Sequence, residues 1–367
     1  MNEQRLLQWL WFAEVMGVGG NTLPVLSLYG SPGALLTARS SDDNLSSVLG
    51  RAQRQRLRTL EPEQMAPRLA RCRELGVRIL TPDHEEYPVT FRLLEDAPAV
   101  LYCTGDVSAL SSTSMVGMVG SRRPSAYGRQ AAQKIAGELA AAGVTIVSGM
   151  ADGLDSEAHK AALEQGALTI AVMGTAPEVC YPASHAGLRH QIEAQGAVIT
   201  EIPPDMQGSR NFFVLRNRLI AALSDVLCVV EARKGSGTMI TASYAGQYGR
   251  PVFSVPGSIF SPLSEGTNQL LAKGAKPCTG ANCILRALGI DPVLPAASAS
   301  ASQPKLDAVQ KKVLAALGPT PKTMGQLSAD TGLPAWQLAA ALTALELAGL
   351  ADQLAGRQYL LRGGAVF

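Results

Sequence analysis

The sequence predicts an α/β fold: an extended Rossmann-like, doubly wound and mainly parallel sheet, preceded by a helical unit and followed by three helices with a hairpin. Three observations carry this. Between Ser114 and about Ile290, short continuous apolar runs alternate with helical segments, as expected for parallel strands covered on both faces. Residues 1–75 instead place apolar side chains at helical spacing. An Ala/Ser/Pro stretch at 291–304, DPVLPAASASASQP, reads as a linker before residues 305–367.

In order along the chain, Leu6, Leu7, Leu10, Trp11 and Val15 recur at the period of a helix. Gly17-Val-Gly-Gly20 follows, then a second helical pattern through Leu36. A glycine hairpin between helices presents backbone N–H groups to a phosphate in helix-hairpin-helix modules, but simple helix packing is the plainer reading of it here. The stretch 76–113 holds the short apolar runs Val77–Leu80 and Ala99–Cys103, which read as an edge addition to the following domain. Candidate strands are then Met115–Val119, Thr145–Ser148, Leu168–Val172, Ala197–Ile202, Val226–Val230 and Pro251–Val255, with helices such as Ala126–Ala142 and Leu154–Gln165 between them. Domain boundaries are expected at 1–75, 76–290 and 305–367. In the last of these, Leu306–Leu317, Met324–Thr331 and Ala335–Ala348 read as helices and Leu350–Leu361 as a hairpin, the pattern of a winged helix.

The chain has 367 residues, 47% of them apolar, enough for two or three domains with a sizeable core. No stretch approaches the roughly 20 uncharged apolar residues of a membrane span, and the N-terminus lacks the pattern of a signal peptide, so a cytoplasmic location is expected. The six cysteines form no CxxC pair; reduced, mostly buried thiols and no metal are expected. Net charge is +2, but residues 51–78 hold eight arginines against three acids, whereas 79–304 hold 16 basic and 19 acidic residues. Such a core does not bind nucleic acid by bulk attraction; it needs a few placed cations and backbone donors. The arginine-rich segment reads equally as added charge near a binding track or as a solvated helix face.

Ligands of doubly wound sheets bind beyond the carboxyl ends of the strands. Here those crests read Gly120-Ser-Arg-Arg-Pro-Ser-Ala-Tyr-Gly128, Ser148-Gly-Met-Ala-Asp-Gly-Leu-Asp-Ser156, Gly174-Thr-Ala-Pro177 and Glu231-Ala-Arg-Lys-Gly-Ser-Gly-Thr238. Glycines let N–H groups turn toward an anion and helix N-termini add partial positive charge. Ser121, Ser236 and Thr238 supply hydroxyls, and Arg122 and Lys234 supply full charges. Several such loops side by side predict a row of phosphate sites. Neither GxGxxG nor GxxxxGK[ST] is present, which disfavours dinucleotides and ATP; no cofactor is expected. In Asn211-Phe-Phe-Val-Leu-Arg-Asn-Arg218, Arg216 and Arg218 lie about 200° apart on a helix at roughly 100° per residue. One is expected at phosphate and the other at a carboxylate that braces a loop. Tyr127, Tyr181, Phe212 and Phe213 are the aromatics placed to stack bases, with core packing the plainer role for each.

These motifs, in one order over about 180 residues, resemble the DprA/Smf family: GSRRPSAYG, SGMADGLDSEAH, CYP at 180–182, RNRLIAALSD, VVEARKGSGTMITASYA, PGS and EGTNQLLAKGA. The resemblance implies an extended Rossmann fold with an N-terminal SAM-like helical domain. It also implies dimerisation, sequence-independent binding of single-stranded DNA, its protection from nucleases and its delivery to the RecA recombinase, without chemical change to it. By position, Gly120, Ser121 and Arg122 match the family's first phosphate loop, and Ser148 and Gly149 the second. Arg216, Asn217 and Arg218 match its RNR motif, and Ser236, Gly237 and Thr238 its later loop. Many members have Gly-x-Gly where this chain has Gly174-Thr175-Ala176. Two other classes compete. A phosphoribohydrolase-like enzyme would carry an acid where Thr241 stands, and Asp152, Asp155, His159 and Glu231 are better read as braces and caps. A duplex reader would use the third winged-helix segment, but Ala335–Ala348 has no Lys or Arg; that domain is expected to pack against a protein surface.

Overall fold

The structure is a computed structural model and describes residues 2–39, 45–291, 306–318, 320–354 and 356–361. From residue 292 onward the expected linker lies outside these residues. Six helices come first: α1 (Glu3–Met16), α2 (Thr22–Tyr29), α3 (Pro32–Ala38), α4 (Leu45–Val48), α5 (Arg51–Thr59) and α6 (Ala66–Glu74). The next stretch supplies β1 (Arg78–Leu80) and β2 (Leu101–Gly105). The alternating region runs β3 (Met115–Val119), α7 (Ala126–Ala141), β4 (Thr145–Ser148), α8 (Leu154–Glu164), β5 (Thr169–Met173), α9 (Ala186–Gln195), β6 (Ala197–Thr200), α10 (Arg210–Leu223), β7 (Val226–Val229), α11 (Gly237–Gln247), β8 (Val252–Ser254), α12 (Glu265–Ala272), β9 (Lys276–Pro277) and α13 (Ala281–Ala287). The last unit holds α14 (Ala308–Ala316), β10 (Lys322–Thr323), α15 (Met324–Thr331), α16 (Ala335–Leu347), β11 (Ala351–Leu354) and β12 (Gln358–Leu361).

The large sheet has the order β1-β2-β6-β5-β4-β3-β7-β8-β9. From β6 to β9 every pairing is parallel, and β2 joins β6 antiparallel, so the 76–113 stretch is an edge addition. Alternation along each strand divides two cores. Met115, Val119, Leu227 and Val229 face α10 and α11, whereas Val116, Met118, Val226 and Cys228 face α7, α8 and α13. The strands read from sequence are right within one or two residues at each end. The last unit pairs β10-β12-β11 beside its three helices, a winged helix. All six cysteines are free thiols; Cys180 and Cys283 are only half-buried. Among the described residues no helix is long and apolar enough to cross a membrane, and no cluster of His, Cys, Asp or Glu is placed to hold a metal ion.

The N-terminal helices share a core with Ala99, Val100 and Tyr102 of the edge addition, and one buried charge secures them. Arg218 on α10 is fully buried. Its Nε lies 2.7 Å from Asp96 and its Nη2 2.7 Å from Glu201. Burial alone would pull the guanidinium pKa down, but the two carboxylates hold it above its ordinary value. Glu201 also accepts the Gly19 N–H at 3.1 Å. Beside Asp96, the Glu95 carbonyl accepts from the Leu23 N–H and the Ala97 carbonyl from the Thr22 hydroxyl. The glycine hairpin therefore docks the helical unit on the sheet: its N–H groups at Gly17, Gly19 and Gly20 all have internal acceptors, and the packing role prevails over phosphate contact. Along α5, Arg51 and Arg58 are exposed and Arg54 and Arg56 half-buried, so half of that helix's arginines form a solvated face.

His159 is another polar group buried in the core. Thr169 donates its hydroxyl hydrogen to the Ile146 carbonyl at 2.8 Å, so it accepts from His159 Nδ1 at 2.7 Å. That leaves Nε2 as a bare, buried acceptor without a partner. Burial, with Arg216 and His185 nearby, pushes the imidazole down to about 3.

Two outcomes are expected. Arg218→Met strands Asp96 and Glu201 without their cation, and urea denaturation should show a loss of about 3–5 kcal/mol; a loss below about 1 kcal/mol would contradict the role given to this charge. For His159, the folded pKa lies below the unfolded value, so protonation favours the unfolded chain. Its contribution is complete above about pH 6.5 and is lost as pH falls toward 3, at up to ~1.4 kcal/mol per pH unit. His159→Gln should flatten the stability curve between pH 6.5 and 4 by about that slope, measured by urea midpoints across the range.

Candidate nucleic-acid interface

The β3–α7–β4 and β6–α10–β7 connections leave the sheet to opposite sides, so the gap between the carboxyl ends of β3 and β7 is the topological switch point. A cleft of about 240 Å³ opens there. Gly120, Ser121, Arg122, Arg216, Asn217, Ser236, Gly237 and Thr238 all line it, with Phe213, Asp155 and Arg233. The loops after β3 and β7 thus meet in one cleft, where a row of separate sites was expected, and the loop after β4 does not bring Ser148 or Gly149 to it.

Its two sides differ. On the β3 side, Ser125 caps α7 by accepting the Gly128 N–H at 3.1 Å. The Glu231 carboxylate accepts the Ser125 N–H at 2.9 Å and its hydroxyl at 2.5 Å. An internal anion already occupies that helix N-terminus. On the β7 side, Ser236 stands at the N-cap of α11 but makes no capping bond, and its buried Oγ has no partner among the described residues. This N-terminus keeps free N–H groups facing the cleft, the arrangement that receives an anion. Arg122 and Arg233 are exposed at its mouth, and neither is in an ion pair among the described residues. Arg122 lies 6.0 Å from the Phe213 ring centre, and Tyr181 packs on the same ring at 5.0 Å.

Arg216 forms the floor. It donates to the Gly149 carbonyl at 2.8 Å and to the Val172 carbonyl, tying the crests of β4 and β5 to α10. Burial pulls its pKa down to about 10, so it is still a cation at neutral pH. Gly149 is required here, because a side chain would fall on this guanidinium. Gly153, at φ +81°, lets the next turn pass against the Ser121 and Arg122 backbone. Asp155 accepts the Gly149 N–H at 3.2 Å; burial raises its pKa against the pull of Arg216.

Four predicted contacts lie elsewhere. Ser148 is fully buried and donates to the Met118 carbonyl at 2.5 Å, and Gly149 is buried against Arg216. Arg218 is the buried charge at the helical unit. Lys234 is exposed beside the cleft but not in its lining. Thr238 does line it, yet its hydroxyl donates to the Gly120 carbonyl at 3.1 Å and joins the two sides. Of the two arginines in the RNR run, Arg218 is the one braced by carboxylates. Arg233, next to Lys234, lines the cleft and was not singled out from the sequence. Tyr127 is 40% exposed and donates to the Pro256 carbonyl at 2.8 Å. Of the four residues named for acid–base work, Glu231 holds the α7 cap, Asp155 the β4 crest and His159 Thr169, whereas Asp152 is exposed and lies 3.5 Å from His185 Nε2. Thr241 is buried with its hydroxyl 3.5 Å from the Gly237 carbonyl.

Comparison with known proteins gives the family. Residues 78–289 match the family model described as DNA recombination-mediator protein A, and residues 297–357 match the DprA winged helix domain. A putative DNA processing protein DprA of Mycobacterium tuberculosis is 36% identical over 79% of this chain and 78% of its own. The X-ray structure of DNA processing protein A from Streptococcus pneumoniae superposes with a TM-score of 0.64 at 29% identity, covering 76% of this chain and 97% of that one. A DNA processing protein A structure from Helicobacter pylori, reported for its single-stranded DNA binding mode, gives a TM-score of 0.53 at 34% identity, covering 58% and 95%. The chain belongs to the DNA recombination-mediator protein A family.

Proposed function

We propose that the switch-point cleft holds the phosphate backbone of single-stranded DNA without sequence preference and without cleaving it. The observation that carries this is the pairing of an uncapped helix N-terminus, at Ser236 and Gly237, with the free cations Arg122 and Arg233 across one cleft. Backbone N–H groups and guanidinium ions recognise phosphate, which is common to every nucleotide, so affinity is insensitive to sequence and sensitive to salt. The single-stranded DNA binding reported for the Helicobacter pylori relative supports the reading. The buried carboxylates and His159 serve as braces, which leaves the cleft without a free acid–base pair and favours a carrier over a hydrolase. In this reading two copies pair to lengthen the track, shield the strand and pass it to the RecA recombinase in the cytoplasm.

The winged helix supports duplex reading less well. The exposed side of α16 presents Trp336 and Leu347 and, with Glu346 but no Lys or Arg in the helix, brings no positive charge to a phosphate backbone.

Binding of labelled oligothymidylate across a salt series, with a duplex competitor, tests the proposal. The wild type should prefer the single strand, and its log affinity should fall linearly with log salt. Arg122→Ala should weaken binding by about 1–3 kcal/mol, the range for a charge-assisted hydrogen bond. Equal affinity for the duplex, or no effect of Arg122→Ala, would overturn it.

A further inference from the structure

A second cleft, of about 380 Å³, lies where the helical unit meets the sheet crest. Phe212, Met206, Pro203, Val100 and Met16 form its apolar wall. Four charged residues line it: Glu14, Arg56, Arg68 and Glu201. Glu14 and Arg68 pair with each other at 2.8 Å. Glu201 is taken by Arg218 and the Gly19 N–H. Arg56 alone among these has no carboxylate partner within the described residues. Its Nε donates to the Val15 carbonyl at 3.0 Å, which fixes the side chain. Its terminal nitrogens lie over Gly17, Nη2 being 3.3 Å from where a Cβ on that glycine would sit.

The two clefts flank one helical turn. Phe212 and Phe213 are neighbours in the first turn of α10; Phe212 lines this cleft and Phe213 the Arg122 cleft. A strand leaving Arg122 over that turn next meets an aromatic face, an apolar wall and an unneutralised guanidinium. That set matches a nucleobase and its phosphate. We infer that this cleft is a second station for the same single strand, with one base against Phe212 and Met206 and its phosphate on Arg56. The inference rests on the single-strand reading of the Arg122 cleft. It gives the helical unit a part in binding through Arg56, although the N–H groups of its hairpin are consumed.

The test uses the full chain, Arg56→Gln and Arg122→Ala, each matched to the wild type by thermal unfolding, with a short and a long oligothymidylate. Arg56→Gln should weaken the long oligomer by about tenfold, near the lower end of what a charge-assisted hydrogen bond supplies. It should also lower the salt slope by about one phosphate's worth and leave the short oligomer unchanged. With wild-type protein, a long oligomer carrying 5-iodouracil should crosslink to the peptide containing Met206 and Phe212. If Arg122→Ala weakens binding but Arg56→Gln does not, or if no crosslink reaches that peptide, this inference fails and the Arg122 cleft stands. A crosslink from 5-iodo-dUMP alone, with none from the oligomer, would make the cleft a free-nucleotide site and also overturn it. A wild type that binds neither oligomer removes both.

Discussion

A guanidinium withdrawn from water is tolerated only beside compensating charge, and the placement of Arg218 follows from that constraint. Asp96 and Glu201 meet it from two different segments. The backbone beside Asp96 holds the start of α2, and Glu201 holds the glycine hairpin. One side chain of α10 therefore decides how the helical unit meets the sheet. Arg216, two residues earlier and about 200° round the same helix, decides how the crests of β4 and β5 meet α10. Asn217 points between them to the cleft, with its Nδ2 3.3 Å from the Gly237 carbonyl. The run RNR is thus largely an internal frame, and α10 is the part from which both clefts take their shape.

This frame explains how a chain of net charge +2 can present the proposed anion site. Carboxylates that would oppose a phosphate are turned inward: Glu231 to the α7 cap, Asp155 to the β4 crest, Glu201 to Arg218. Cations at the rim, Arg122 and Arg233, are left without such partners. In the proposed reading, selectivity for phosphate follows from which charges the fold engages internally, more than from how many it carries.

Much of the fold was legible because continuous apolar runs and helical spacing are local properties. The strands from Met115 to Ser254 and the winged-helix pattern follow from them. The crest loops were legible by their glycines and hydroxyls, but the destination of each hydroxyl was not. Ser148 and Thr238 turn to backbone carbonyls at Met118 and Gly120, partners supplied by neighbouring strands. Helical geometry alone separates Arg216 from Arg218; the choice between them depends on Asp96 and Glu201, which lie far away in sequence. The same distance hid the fate of the Gly17–Gly20 hairpin, whose free N–H is met by Glu201. Sequence period reports which residues share an element, whereas long-range pairing decides which of them face a ligand.

Amide hydrogen exchange with and without oligothymidylate tests the central claim most directly, because it reads backbone donors one segment at a time. The account predicts that the single strand slows exchange at Gly120–Arg123 and at Lys234–Thr238, the two sides of the cleft. Ser148 and Gly149, whose crest is sealed inside the fold, should change little. Protection confined to the winged helix, or strongest at Ser148 and Gly149, would contradict it and place the strand on a different surface.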